Sequence, residues 1–270
     1  MGEVTQTGTT RVPTNSLFSL QGKTVIVTGA TGGIGLPVAV ALAESGASIV
    51  SIQLPGDTNS EKLRKAIEQA TGGQNIKQFE CDLLDSTSIA DCFERIWTAG
   101  VIPDILFHAA GITHRSMASE PSREASSLVV DLNIKAAYLV CQAFGRQMLK
   151  LGRRGKIITI ASMAAELVQT NVSVYSCSKS FVKSMTRAMS NEWASKGIQC
   201  NSISPGWIQT GMCEDLSQDP VFSDYVRQRT SSQRWGQPDD LRGAVIFLAS
   251  SASDFITGAD ILIDGGVLGR

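Results

Sequence analysis

The stretch Thr28-Gly29-Ala30-Thr31-Gly32-Gly33-Ile34-Gly35 constrains the fold more than any other part of the chain. It follows the apolar run Val25-Ile26-Val27 and opens a helical run from Leu36 to Glu44. A strand, a glycine turn and a helix in that order form the start of a βαβ unit. Glycines let the backbone turn sharply and come close to a bound group. The helix that follows offers free N–H groups and the positive end of its dipole to phosphates. The spacing is T-G-x-x-x-G-x-G rather than G-x-G-x-x-G. In this context it reads as a dinucleotide phosphate site, the alternative being a plain glycine-rich turn.

The rest of the chain repeats the alternation. Strand candidates are Lys23–Thr28, Ser48–Gln53, Ile76–Glu80, Asp104–His108, Lys156–Ala161, Gln199–Ser204 and Ile261–Asp264. Helical runs lie between them, notably Ser122–Lys150 and Val172–Ser195. Strands that are nearly all apolar belong to a sheet covered on both faces. The expected fold is therefore α/β, a doubly wound parallel sheet of about seven strands, Rossmann-like, with helices on both faces. The length of 270 residues suits one such domain, taken as residues 17–270 after a polar tail at 1–16 that is expected to be disordered. The stretch from Trp207 to Gln237 reads as a long irregular segment, and long ordered loops are often lids.

Several function classes recede on composition. A formal net charge of −1 gives no basic surface for nucleic acid or an anionic membrane. No run approaches the ~18 consecutive apolar residues of a membrane span, and residues 1–16 lack the apolar core of a secretory signal. Two histidines, His108 and His114, are too few for a His-based metal site, so no metal is expected. The six cysteines show no C-x-x-C spacing and read as small buried residues of a reducing compartment, the cytoplasm. Cys177 is expected to face the core.

The chemistry concentrates in Tyr175-Ser176-Cys177-Ser178-Lys179 and in Ser162, which follows the strand candidate Ile157-Ile158-Thr159-Ile160-Ala161. Tyr and Lys at i and i+4 share a helix face, with Cβ atoms ~5–6 Å apart. An ammonium near a phenol favours the phenolate and lowers a pKa that starts near ~10. A tyrosine tuned in this way passes protons at neutral pH. A hydroxyl at the strand end can hydrogen-bond the oxygen that Tyr175 protonates.

Together these motifs resemble the short-chain dehydrogenase/reductase family, over nearly the whole chain. The resemblance implies an NAD(P)-dependent enzyme that interconverts a secondary alcohol and a ketone. Its catalytic Asn, Ser, Tyr and Lys correspond to Asn133, Ser162, Tyr175 and Lys179. Asn133 is expected to hold a water that links Lys179 to solvent. The cofactor would be held by Gly29, Thr31, Gly33, Ile34 and Gly35 of the glycine turn and by Gln53 at the end of the second strand. Asp82 would stand beside the adenine, with Ala110, Gly111, Pro205, Gly206, Ile208 and Thr210 completing the site next to Tyr175 and Lys179. One motif departs from the pattern. Where the family shows Asn-Asn-Ala-Gly, this chain has His108-Ala109-Ala110-Gly111, so the asparagine bonds that brace the sheet are lost or replaced by His108.

The cofactor is NAD or NADP. A carboxylate at the end of the second strand selects NAD, and a nearby Arg selects NADP. Gln53 and Leu54 provide neither, and Asp57, after Pro55-Gly56, is expected in solvent. The lack of a cation for a 2′-phosphate tips the expectation towards NAD. Within the family the chain is most similar to the 2-deoxygluconate 3-dehydrogenase group. The similarity lies in Asn191-Glu192-Trp193-Ala194, in Arg234-Trp235-Gly236 and in Phe247–Asp254 leading to Asp264-Gly265-Gly266. It implies a small-molecule sugar-acid substrate, for whose carboxylate Arg115 is a candidate, a solvated loop Arg being the alternative. Met163, Trp207, Ile208 and Met212 are expected to form apolar walls, which would also suit a bulkier polyketide-like ketone. A non-catalytic dinucleotide sensor is the remaining alternative. Leu128, Ile134, Tyr138 and Phe144 on one long helix, and Phe181, Met185, Met189 and Trp193 on the other, suggest a second apolar face. The family resemblance likewise implies a homodimer or homotetramer built on these helices.

Overall fold

The computed structural model describes residues 13–73, 76–120 and 122–270. Seven strands form one parallel sheet: β1 (Thr24–Thr28), β2 (Ser48–Gln53), β3 (Lys77–Glu80), β4 (Ile105–His108), β5 (Gly155–Ile160), β6 (Ile198–Pro205) and β7 (Asp260–Ile263). Their order is β3-β2-β1-β4-β5-β6-β7. The expected doubly wound fold is what the chain adopts. Side chains alternate along each strand, so Ile26 joins the core on one face while Val25 and Val27 join the core on the other.

Helices α3 (Ser86–Thr98), α5 (Ala137–Lys150) and α6 (Ser173–Trp193) cover the first face with Phe93, Phe144 and Trp193 among others. Helices α1 (Gly35–Glu44), α2 (Ser60–Thr71) and α9 (Arg242–Ala249) cover the second with Leu42, Leu63 and Leu248. Helix α4 (Arg123–Val130) runs into α5 through a π-helical turn, Asp131–Ala136. By length and composition the continuous segment Arg123–Lys150 could cross a membrane. Its buried stripe of Val129, Ala136, Val140, Phe144 and Met148 is core.

The strand order reverses between β1 and β4, whose register pairs Thr28 with His108. In such sheets ligands bind beyond the carboxyl ends of the strands at this switch point. The glycine turn leaves β1 there and the Ala109–Gly111 segment leaves β4 beside it.

Four expectations need correction. The 1–16 tail lies mostly outside the described residues, but Thr14–Phe18 form a 3₁₀ turn whose Phe18 ring meets Phe247 at 6.4 Å. The segment from Trp207 to Gln237 is not irregular. It holds a 3₁₀ turn at Gly211–Cys213, α7 (Glu214–Gln218) and α8 (Pro220–Arg229), with Asp219 capping α8 through Val221 N–H at 2.9 Å. Cys177 is exposed rather than core-facing. On α6, Met185, Met189 and Trp193 are buried within the chain and offer no second apolar face, and neither does Phe144 on α5.

Candidate active site

Two adjoining cavities open at the switch point. The larger, about 590 Å³, runs from the glycine turn past the ends of β2 and β3. The smaller, about 100 Å³, holds Ser162, Tyr175 and Lys179, and both are walled by Ile34, Gly111, Thr210 and Met212.

The floor between them depends on close backbone approach. Gly29 has φ +66°, and a Cβ there would lie 2.8 Å from Ala110 N. A Cβ on Gly35 would lie 1.9 Å from Gly29 O. The turn therefore fits a group that needs bare backbone N–H donors ahead of α1, such as a pyrophosphate. Gly33 abuts Thr210, where its Cβ would meet Thr210 Cβ at 2.7 Å. Gly206 and Pro205 follow from β6 into the smaller cavity, together with Ile208.

Tyr175 sits in the first turn of α6 and is half-buried. Burial pushes the Tyr175 pKa up, against the lowering influence of the nearby Ser162 hydroxyl. Arg115 also reaches the phenol electrostatically and works in the lowering direction. Lys179 does not act as the sequence suggested. Its Nζ lies 5.7 Å from the Tyr175 ring centroid and donates to Ile160 O at 2.8 Å. Burial brings Lys179 itself down to about 8. The phenol therefore stays protonated through neutral pH. Ser162 is held by its own cap, Ala164 N–H donating to Oγ at 3.1 Å.

Asn133 lies inside the π-helical turn, a form of backbone that recurs at functional sites. Its Oδ1 accepts from Ile112 N at 2.9 Å, and its Nδ2 donates to Ile112 O at 2.8 Å and to Ser178 Oγ at 3.1 Å. Its side chain is thus committed to pinning the segment after Gly111 to α6.

The substituted His108 supplies a brace. Its Nδ1 meets Thr28 Oγ1 at 2.8 Å, and that hydroxyl accepts from Ala110 N at 3.3 Å. Burial, aided by the charge of Lys179, pushes His108 down to about 3, so the imidazole is neutral. Its Nε2 has no partner. The pairing was missed from sequence, although Thr28 opens the glycine motif.

Gln53 lines the larger cavity, its amide held by three neighbours with one Nε2 hydrogen left over. Oε1 accepts from Ser51 Oγ at 3.0 Å and from Gln78 Nε2 at 3.1 Å, while Nε2 donates to Ser60 Oγ at 2.6 Å. Asp57 is not in solvent as expected. It lines the same cavity and accepts from Thr31 Oγ1 at 2.6 Å. Asp82 stands at the end of β3, with Oδ1 capping Leu84 N at 2.9 Å.

The apolar walls differ from expectation. Met163 and Trp207 are buried in a separate cluster with Val226, Trp235 and Val267 under α8. Ile208 and Met212 do line the smaller cavity, Met212 being 42% exposed. Arg115 does not line the cavity itself but reaches two residues that do, Met212 and Cys213. Its guanidinium contacts Asp215 Oδ2 at 3.2 Å and Met212 O at 3.2 Å.

A family model described as enoyl-(acyl carrier protein) reductase matches residues 29–268. A 2-dehydro-3-deoxy-D-gluconate 5-dehydrogenase of Dickeya dadantii is 39% identical over 254 residues, covering 94% of this chain and 98% of that protein. A gluconate 5-dehydrogenase of Gluconobacter oxydans is 37% identical over 253 residues, 93% of this chain and 96% of the relative. Among solved structures, a gluconate 5-dehydrogenase of Burkholderia cenocepacia in complex with NADP and tartrate superposes with a TM-score of 0.89 at 33% identity. It covers 94% of this chain and 98% of that one.

Proposed function

The chain belongs to the short-chain dehydrogenase/reductase family and is an NAD(P)-dependent enzyme interconverting a secondary alcohol and a ketone, and we propose that its substrate is a sugar acid. The observation that carries this reading is Arg115. It contacts Met212 and Cys213, which line the small cavity, within electrostatic reach of Tyr175, and in this structure a carboxylate, that of Asp215, already holds it. Asp215 engages only Nη1, so a substrate carboxylate would displace it and pair with the guanidinium in its place. The relatives' names point the same way, and they do not favour a bulkier apolar ketone.

When bound, the dinucleotide supplies or takes up the hydride. The rest falls to this chain's side chains. Tyr175 Oη gives its proton to the carbonyl oxygen in reduction and accepts it back in oxidation. The Ser162 hydroxyl binds the same oxygen and fixes its position. Lys179, anchored on Ile160 O, brings positive charge to the inner wall of the cavity. Asn133 keeps the Gly111–Ile112 backbone at the distance that leaves room for the nicotinamide end.

A panel of aldonic and ketoaldonic acids against neutral ketones of similar size tests the substrate class. Arg115→Met should raise KM for the carboxylate substrates by about 10–100-fold, the worth of a hydrogen bond to a charged group. Neutral substrates should be unaffected, and Asp215→Asn should not raise KM. Equal KM changes for acids and neutral ketones would refute the anchor.

We also place the enzyme in the cytoplasm, which suits six free thiols, four of them buried. A homo-oligomer is the reading for the apolar residues left uncovered in the chain. Leu128, Val130 and Tyr138 on α4–α5 are 41–43% exposed, and Phe255 is fully exposed. Light scattering at micromolar concentration should return a dimer or tetramer of the 28.8 kDa chain. A fully active monomer would contradict this.

A further inference from the structure

The turn after β2 lies along the larger cavity, which Leu54 and Asp57 line. Leu54-Pro55-Gly56-Asp57 closes through Asp57 N donating to Leu54 O at 3.1 Å, with Gly56 at φ +71°. Proline second and a left-handed glycine third are the requirements of a type II turn. The turn is pinned from β3, Glu80 Oε1 accepting from Gly56 N at 3.1 Å. The chain therefore doubles back instead of running out into solvent, and Asp57 returns over the cavity.

There its carboxylate is fixed on both oxygens. Oδ2 accepts from Thr31 Oγ1 at 2.6 Å, and Oδ1 accepts from Asn59 N at 2.9 Å. Thr31 belongs to the glycine turn, so the carboxylate is tied directly to the phosphate cradle. Each oxygen keeps a lone pair for another donor. Asp57 and Asp82 are the only charged side chains lining this cavity among the described residues, and no Lys, Arg or His joins them. Gln53, at the strand end, is tied to Ser51, Ser60 and Gln78 and brings no charge to this cavity.

We propose that Asp57, held by Thr31, selects NAD(H) over NADP(H) in this enzyme by accepting the adenosine ribose hydroxyls and repelling a 2′-phosphate. The assignment rests on the dinucleotide-dependent reading above. It sets this chain apart from the Burkholderia cenocepacia neighbour, which holds NADP. Like charges brought together without a cation give discrimination that contacts alone do not.

The test is direct binding, by titration calorimetry of NADH and NADPH with the purified full chain and no substrate. The wild type should bind NADH at least about tenfold more tightly than NADPH. Asp57→Asn keeps the shape and one oxygen to accept from Thr31, and removes the charge together with the acceptor for Asn59 N. It should tighten NADPH and weaken NADH, collapsing the ratio towards one. Thr31→Val frees the carboxylate and should weaken NADH with little gain for NADPH. A wild type that binds NADPH as well as NADH, or a ratio unchanged in Asp57→Asn, overturns the assignment while leaving the oxidoreductase reading intact. Binding of neither dinucleotide overturns both. Unchanged circular dichroism and Tm in the variants tie any change in the ratio to the site.

Discussion

Tyr175→Phe is expected to lower turnover by ~10²–10⁴, the usual worth of a positioned general acid, while the chain stays folded and binds dinucleotide. The ring remains, so its packing in the first turn of α6 is preserved. Only the hydroxyl beside Ser162 is removed. Single-turnover rates on a sugar acid accepted by the wild type would read the effect directly. The two reaction directions should also respond differently to pH in the wild type. Burial raises the Tyr175 pKa, so the phenol is the dominant form at neutral pH. Reduction needs the phenol and should be insensitive to this group around neutrality. Oxidation needs the phenolate and should climb as pH rises. Near wild-type turnover in Tyr175→Phe would remove Tyr175 from the chemistry.

How far the sequence could be read follows from where its signals are local. The sheet was legible where a strand covered on both faces is an apolar run, as in β1 and β4, buried along nearly their whole length. The glycine turn and the Tyr–Lys pair were legible because each is a short motif with a geometric requirement. Cys177 was not legible in this way: it faces out although Ser176 and Ser178 on either side of it are buried.

Other features depended on tertiary geometry. Pro55-Gly56 looked like an exit into solvent, but a type II turn reverses the chain, and only the pin from Glu80 shows where Asp57 lands. Met185, Met189 and Trp193 looked like a spare apolar face. They form the stripe by which α6 packs on the sheet, with Trp193 pressed against Gly145, whose Cβ would fall 2.5 Å from the indole. Helices α7 and α8 were hidden because they are short and polar, and α8 starts at a proline that is compatible with a first turn. The expected influence of Lys179 on Tyr175 failed for a similar reason. Spacing puts the pair on one face, but Ile160 O turns the ammonium towards the sheet.

Gly35→Ala should damage both stability and dinucleotide binding, although it adds only one methyl group. The new Cβ would lie 1.9 Å from Gly29 O and 2.7 Å from Gly29 C. Both are backbone atoms, so no side-chain rotation relieves the clash. Gly29 cannot retreat, because it is itself packed on Ala110, which Thr28 and His108 hold from below. The start of α1 must move outward instead. Overpacking of this kind costs about 1–3 kcal/mol or more. The N–H groups that would meet a pyrophosphate ride on the displaced segment, so NADH affinity should fall by at least about tenfold. Thermal unfolding with and without NADH separates the two effects. The wild type should gain Tm with ligand, as any group that binds only the native state requires. The variant should start lower and gain little. Gly243→Ala is the control, in helix α9 with nothing within 4 Å of the new Cβ, and it should leave Tm unchanged or raise it. If Gly35→Ala matches that control in Tm and in NADH binding, the cradle does not depend on the close approach of Gly35 to Gly29.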